Sequence, residues 1–153
     1  MSTPPTANAT PQIPPGFRPI AAGGPYMQHN GPLYLRHEAG LVRFGFRVEA
    51  RHCNPMGNLH GGMMASFCDM LLPLSAHRTV AEVAHRFLPT VSLQLDYLAP
   101  APEGCWVEGE ATVLRTTRSL VFIQGLVTAD GTPCVRASGV FKIGPEMPQG
   151  ARP

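Results

Sequence analysis

One apolar run in the middle of the chain limits the folds that are open to it. Residues 59–72 carry apolar or small side chains on every side of a predicted helix, and Asp69 is the only charged residue among them. A helix that is apolar all round is expected to be buried all round. Pro73 is predicted to end or kink it, and a second, more polar helix is expected over 75–87. The rest of the chain therefore has to wrap around the first helix.

Segments of alternating polarity can supply that wrapping. Residues 41–51 alternate between apolar and polar or small side chains, which predicts a strand with one solvated face, and residues 33–38 are its expected hairpin partner. Further strands are predicted at 90–98, 106–114, 120–128 and 134–143. Short turns suited to hairpins precede the last three, at 101–104, 116–119 and 130–131. Hairpins join antiparallel strands, so we expect an α+β fold with one antiparallel sheet around a central helix.

Composition narrows the classes of function. The chain has 153 residues, 44% of them hydrophobic and 14% charged, which suits one domain with a substantial core. A net charge of +2 without any Lys/Arg-rich block argues against a nucleic-acid partner. The sequence contains no membrane-length apolar run and no CxxC pair, and we expect no signal peptide, so we expect a cytoplasmic protein with reduced thiols and no membrane partner. Cys68 and Cys134 are predicted to lie in the core.

Three segments are predicted along the chain. Residues 1–32 form a Pro/Gly-rich N-terminal segment, which we expect to be disordered up to about Pro15. Residues 33–145 form the folded domain, and residues 146–153 form a C-terminal tail. Four side chains are candidates for anchoring the later part of the N-terminal segment to the domain: Phe17, Ile20, Tyr26 and Met27.

Asp69 has two interpretations. It is either a structural acceptor for neighbouring hydroxyl or backbone donors, or a catalytic base or nucleophile in an apolar setting. Gly61 and Gly62 begin the same helix, where unpaired N–H groups and the positive end of the helix dipole suit a developing oxyanion. Glycine there lets a ligand approach the backbone closely. The alternative explanation for the two glycines is close packing of the helix start against a strand.

Helix length keeps Gly61 and Asp69 apart. Eight residues span about 12 Å along an ideal helix, so one helix cannot bring both residues to the same carbonyl group. If they cooperate, Asp69 must come from a second copy of the chain. Two antiparallel helices side by side would pair them, which predicts a symmetric homodimer with two sites.

The motif of residues 54–62, N-x-x-G-x-x-H-G-G, followed by Asp69, resembles the signature of hot-dog-fold thioesterases. The PaaI-like branch of the 4-hydroxybenzoyl-CoA thioesterase superfamily is the group it resembles most, over about residues 33–143. The resemblance implies a hot-dog fold, in which a curved antiparallel sheet wraps a long helix, with active sites at a dimer interface. It also implies hydrolysis of an acyl- or aryl-CoA to the free acid and CoA without a cofactor, in a homodimer that pairs into a dimer of dimers.

The resemblance assigns roles to individual residues. The Gly61 N–H and the Asn54 side chain are expected to polarise the thioester carbonyl, and Asp69 of the other subunit attacks it or activates a water. Thr90 is expected to orient the water or the carboxylate, with Ser92 as a weaker candidate. The further candidates for substrate binding are His60, Gly62, Ser66, Arg115 and Arg118.

Several of these residues also have structural explanations. Asn54 precedes a proline and could be a turn residue, and Thr90 could be an ordinary strand hydroxyl. His60 is expected to order its loop through the ring nitrogens. Arg115 and Arg118 flank a turn, where they either contact the phosphates of CoA or are simply solvated.

Other kinds of function fit the sequence less well. His52, Cys53 and His60 bracket a loop, but four ligands at zinc spacing are missing, so we expect no metal. A non-catalytic module of the same fold that binds or senses acyl-CoA is the alternative function, and it would have no need of Asp69. A dehydratase or hydratase of this fold pairs a catalytic histidine with an acid, whereas His60 belongs to the glycine motif.

Overall fold

The computed structural model describes residues 12–153, so residues 1–11 of the stretch predicted to be disordered up to about Pro15 lie outside the described residues. The described part contains seven strands and two α-helices. In chain order they are β1 (Arg18–Ile20), α1 (Gly24–Asn30), β2 (Leu33–Glu38), β3 (Leu41–Arg47), α2 (Gly61–Thr79), β4 (Thr90–Tyr97), β5 (Trp106–Thr116), β6 (Leu120–Ala129) and β7 (Thr132–Lys142). Within residues 12–153, neither α-helix combines the length and the apolar character that a membrane span requires.

The strands form one antiparallel sheet in the order β1-β2-β3-β5-β6-β7-β4, with α2 packed against it. This confirms the predicted hot-dog architecture. Buried side chains from both layers make the core, including Phe44, Phe67, Leu71 and Phe141. Cys68 and Cys134 are buried in it as predicted.

The prediction of a hairpin at residues 101–104 is wrong. β4 pairs with β7 at the edge of the sheet, while β5 pairs with β3 and β6, so the connection between β4 and β5 crosses over. The backbone of this connection bonds to other loops instead. Leu59 N–H donates to the Ala101 carbonyl at 2.7 Å, and Gly104 N–H donates to the Val48 carbonyl at 2.8 Å. The crossover thereby holds the loop that precedes α2.

Helix α2 continues through Pro73, so the predictions of a helix end near residue 72 and of a second helix over 75–87 are both wrong. Burial of the residues around Pro73 stabilises the longer helix, since Leu72 and Leu74 on either side of it are at most 2% exposed. After Thr79 the chain makes a 3₁₀ turn over Ala81–Val83. The His77 ring is bonded to the Arg86 carbonyl through Nε2 at 2.8 Å, which closes the connection to β4.

The prediction that this helix is buried on every side holds only for residues 71–76. Its first half leaves a stripe of half-buried or exposed residues at helical spacing: Gly61, Gly62, Ala65, Ser66, Asp69 and Met70. Most members of the stripe are small, so another helix could approach this side of α2 closely.

The N-terminal segment takes part in the fold before residue 33. β1 pairs with β2 and so extends the sheet, and Met27 of α1 is buried. The Phe17 ring packs edge-on against Trp106 with the ring centroids 4.9 Å apart. Tyr26 is largely exposed, yet its hydroxyl is hydrogen-bonded to Ser66 Oγ at 2.7 Å. These contacts place α1 beside the first half of α2.

Candidate active site

The loop before α2 holds Asn54 in one orientation. Asn54 Oδ1 accepts hydrogen bonds from the backbone N–H groups of Met56 at 2.9 Å and Asn58 at 3.2 Å. Backbone bonds between Asn54 and both Asn58 and Gly57 close the same turn. Because both of these donors are on the oxygen side, the amide nitrogen Nδ2 faces away from the turn. Among residues 12–153, no acceptor is bonded to Nδ2, so Asn54 is both a turn residue and an available donor.

His60 caps the start of α2. Its Nδ1 accepts a hydrogen bond from Gly62 N–H at 2.9 Å, and its own N–H donates to the His52 carbonyl at 2.8 Å. A Cβ at Gly62 would lie 3.0 Å from His60 Nδ1, which explains the glycine at this position by the cap. The cap occupies the Gly62 N–H and leaves the Gly61 N–H, for which no acceptor lies in the described part of the chain.

Gly61 has no comparable packing explanation. A Cβ there would lie 3.5 Å from Tyr97 Oη, which is an ordinary van der Waals contact, and its φ is not in the left-handed region. Tyr97 Oη donates a 2.6 Å hydrogen bond to the Gly61 carbonyl, fixing the first peptide of the helix against β4. Gly61 therefore offers an unpaired N–H on a rigid support, which is the arrangement an oxyanion site needs.

Asp69 lies two turns further along α2, half-buried between buried and half-buried apolar neighbours. Thr90 Oγ1 donates a hydrogen bond of 2.5 Å to Asp69 Oδ1, from the first residue of β4. Burial raises the pKa of the adjacent Cys68 thiol to about 12, which keeps this buried cysteine protonated and unsuited to nucleophilic attack. Of these two neighbouring groups, only the Asp69 carboxylate is left as a candidate base or nucleophile.

A cleft of about 740 Å³ begins at Asp69 and Thr90 and runs beside α2. Its other walls are mostly apolar and come from α2, from residues 22–24 at the start of α1, from the connection before β4 and from the end of the described chain. The side chains and backbone that define it include Met70, Pro73, Leu74, Phe87, Leu88, Met147 and Pro148. Pro73, which leaves α2 unbroken, forms part of this wall. The cleft has the size and lining typical of a small-molecule site.

The other residues predicted to bind substrate lie apart from this cleft. Ser66 Oγ donates to the Gly62 carbonyl at 3.0 Å and is paired with Tyr26, so its hydroxyl is already engaged. Arg115 is exposed near the end of β5, where it borders a groove beside the other end of α2, and Arg118 is exposed on the turn between β5 and β6. Within one chain, neither arginine lines the Asp69 cleft.

The histidine and cysteine cluster considered for zinc has another role. His52 Nδ1 accepts from the Glu49 N–H at 3.1 Å, and His52 Nε2 is bonded to the Asn30 carbonyl at 2.9 Å. Burial lowers the pKa of His52, which favours this neutral form. Within residues 12–153, no cluster of three or more His, Cys, Asp or Glu side chains is arranged to hold a metal ion.

Comparison with known proteins decides the family. The family model described as the thioesterase superfamily matches residues 56–135, which include Asp69 and the motif from Gly57 to Gly62 but not Asn54. The chain belongs to the thioesterase superfamily. It is therefore a thioester hydrolase. Human acyl-coenzyme A thioesterase 13 is 30% identical to this chain over 102 residues, which cover 65% of this chain and 69% of that protein.

Solved thioesterases share the fold. The phenylacetic acid degradation protein PaaI from Thermus thermophilus, solved as a point mutant, superposes with a TM-score of 0.63 at 24% identity, covering 78% of this chain and 98% of that chain. A hypothetical thioesterase protein from Streptococcus pneumoniae with coenzyme A gives a TM-score of 0.64 at 16% identity, covering 86% and 98%.

Two features of this thioesterase's site were missed by the sequence reasoning. Tyr97 supports Gly61, yet its place in the alternation of β4 marked it only as an apolar-face residue. Residues 145–153 line the Asp69 cleft, but their proline-rich composition indicated no more than a tail. Nothing local in either segment indicates these contacts, because the first depends on how β4 packs beside α2 and the second on bonds to the connection before β4.

Proposed function

We propose that this thioesterase hydrolyses acyl-CoA at two equivalent sites of a homodimer. Asp69 and Thr90 of one subunit would act together with Gly61 and Asn54 of the partner subunit. The observation that carries this proposal is the continuity of α2, which holds Gly61 and Asp69 about 12 Å apart along its axis while leaving both on the same incompletely buried stripe. An antiparallel helix from a second copy would bring the two ends together.

The edge of the sheet supports the same assembly. β4 pairs only with β7 in the described structure, so its outer backbone groups are available to another strand. Large apolar side chains are exposed on and next to β4, where Val91 is 61% and Leu98 56% exposed. Exposed apolar surface of this kind marks an interaction site. A two-fold axis beside β4 would continue the sheet and lay the α2 helices side by side.

In the proposed hydrolysis each of these residues has its own role. The thioester carbonyl oxygen would accept hydrogen bonds from Gly61 N–H and Asn54 Nδ2, which stabilise the negative charge that develops there. Asp69 takes a proton from a water as the water oxygen bonds to the carbonyl carbon, or its own oxygen forms that bond. The C–S bond then breaks and the thiolate of CoA leaves. In the second route, water hydrolyses the resulting anhydride.

The choice of acyl-CoA among thioesters rests on the relatives. The curated human relative is named for acyl-coenzyme A, and one structure with the same fold is described with coenzyme A. The reaction needs water as its only co-reactant, and coenzyme A enters as part of the substrate. The Asp69 cleft would receive the acyl group, because its lining is largely apolar.

A panel of acyl- and aryl-CoA substrates tests this proposal, with released thiol as the readout. Asp69→Asn is expected to lower kcat by about a thousandfold, since it removes the base or nucleophile. Asp96→Asn is the matched control, because Asp96 lies on the same strand as Thr90 but forms an exposed ion pair with Arg136. No hydrolysis of any CoA ester by the wild type, or equal loss in both variants, would refute the proposal.

A further inference from the structure

The Asp69 cleft has a wall outside the part of the chain that matches the family model. The cleft extends along α2 from Asp69 to His77, eight residues or about 12 Å. Residues 145–153, here called the terminal segment, line one side of it, with contributions from Met147, Pro148 and Pro153. This segment lies beyond residues 56–135 and is therefore not accounted for by the family match.

The terminal segment is attached to the connection before β4 by backbone hydrogen bonds. Phe87 N–H donates to the Pro145 carbonyl and Met147 N–H donates to the His85 carbonyl, both at 2.8 Å. Arg86 Nε donates to the Gly144 carbonyl at 2.6 Å. Beyond these bonds, the chain makes a 3₁₀ turn over Gln149–Ala151. Three prolines in nine residues further restrict the backbone, so the wall is held in one position.

The charges around the cleft determine which acyl groups it can bind. Its ionisable lining residues are Asp69, Glu146 and His77, and no Lys or Arg of the described chain is among them. Burial lowers the pKa of His77, so this residue brings no positive charge at neutral pH. A negatively charged acyl end would meet two carboxylates and no cation.

We propose that the terminal segment sets the length of the acyl group, restricting this thioesterase to uncharged, apolar acyl groups of medium length. This inference rests on the proposed acyl-CoA hydrolysis. Met147 is the largest apolar side chain that the segment contributes to the cleft, and it is only half-buried. An acyl chain that passes Asp69 and lies along α2 would end against it.

The experiment compares acyl-length profiles rather than single rates. The ratio of kcat/KM for lauroyl-CoA to that for hexanoyl-CoA is measured for the wild type, Met147→Ala, Met147→Phe and a chain shortened after Glu146. Met147→Ala and the shortened chain are expected to raise this ratio by about tenfold, and Met147→Phe to lower it by about as much, since methylenes in an apolar pocket discriminate to this degree. Gln149→Ala is the control within the same segment, because Gln149 does not line the cleft.

The outcomes separate this inference from the function on which it rests. Opposite shifts for Met147→Ala and Met147→Phe, with Gln149→Ala unchanged, support the terminal segment as the length determinant. An active wild type whose profile is the same in all variants overturns this inference alone. A wild type that hydrolyses no CoA ester overturns the proposed function as well. Should the shortened chain fail to fold, as judged by circular dichroism, the two Met147 variants decide the question.

Discussion

The hydroxyl of Thr90 donates a 2.5 Å hydrogen bond to Asp69 Oδ1 and so joins the edge strand to the middle of the long helix. Hydrogen bonds to charged groups are among the stronger ones, and this one fixes which carboxylate oxygen remains open. We expect Thr90→Val to lower kcat about tenfold with KM little changed. Thr90→Ser is expected to retain most activity, and Ser92→Ala to resemble the wild type. Steady-state kinetics checks this, and a normal kcat in Thr90→Val would show that the bond is only structural.

Gly61 allows the oxyanion donor to be removed without breaking the helix. It is the first residue of α2, where proline is well tolerated, and the φ of −61° and ψ of 135° of His60 suit a residue before proline. Gly61→Pro is expected to lower kcat by about a hundredfold or more, because it deletes one N–H donor. Gly61→Ala keeps the N–H and adds a Cβ at ordinary contact distance from Tyr97. Similar kinetics for the two variants, at unchanged melting temperature, would count against an oxyanion role.

Mixed dimers test whether each site uses two chains. Asp69→Asn and Gly61→Pro chains are each expected to be inactive alone. A dimer containing one of each would have one intact site, with Asp69 from one chain and the partner's Gly61. Random mixing should restore about a quarter of the wild-type activity. Co-expression with two affinity tags and isolation of the mixed species gives the measurement, and no recovery in that species would place both groups in one chain.

The buried His52 predicts a dependence of stability on pH. Burial, with the nearby Arg51 charge, lowers the pKa of His52 in the folded protein. The unfolded chain therefore binds the proton more readily, so the contribution of His52 is complete above its unfolded pKa of about 6.5 and is lost as pH falls below it. We expect the melting temperature to fall between about pH 7 and about pH 5. Calorimetry on His52→Gln should give a flatter profile, while the exposed-site control His37→Gln should keep the wild-type slope.

Much of the fold was predictable because side-chain periodicity is a local property. The alternation of residues 41–47 and the apolar character of residues 61–72 each identify their elements without knowledge of the neighbours. The β4–β5 connection shows the limit of this reasoning. Residues 101–104 have a hairpin-like composition, but their backbone groups bond Gly57, Leu59 and Val48, and no sequence period reports such pairings.

The candidate site likewise has some features that the sequence showed and others that only the structure shows. The spacing of Asn54, Gly61 and Asp69 was visible in the sequence, and the structure adds how the first two present free donors. The roles of Gly61 and Gly62 could not be separated from sequence, because only the distance to His60 Nδ1 distinguishes them. Arg115 and Arg118 were grouped with the site by their charge and by the turn that they flank, whereas within one chain Arg115 borders a groove at the other end of α2.

Pro73 has an effect one turn before its own position. In a regular helix its amide would donate to the main-chain carbonyl of Asp69, four residues earlier, but proline has no N–H to give. Asp69 therefore lies where one main-chain hydrogen bond of α2 is missing. That gap leaves the main-chain carbonyl of the residue that carries the carboxylate without the helical donor that its neighbours have.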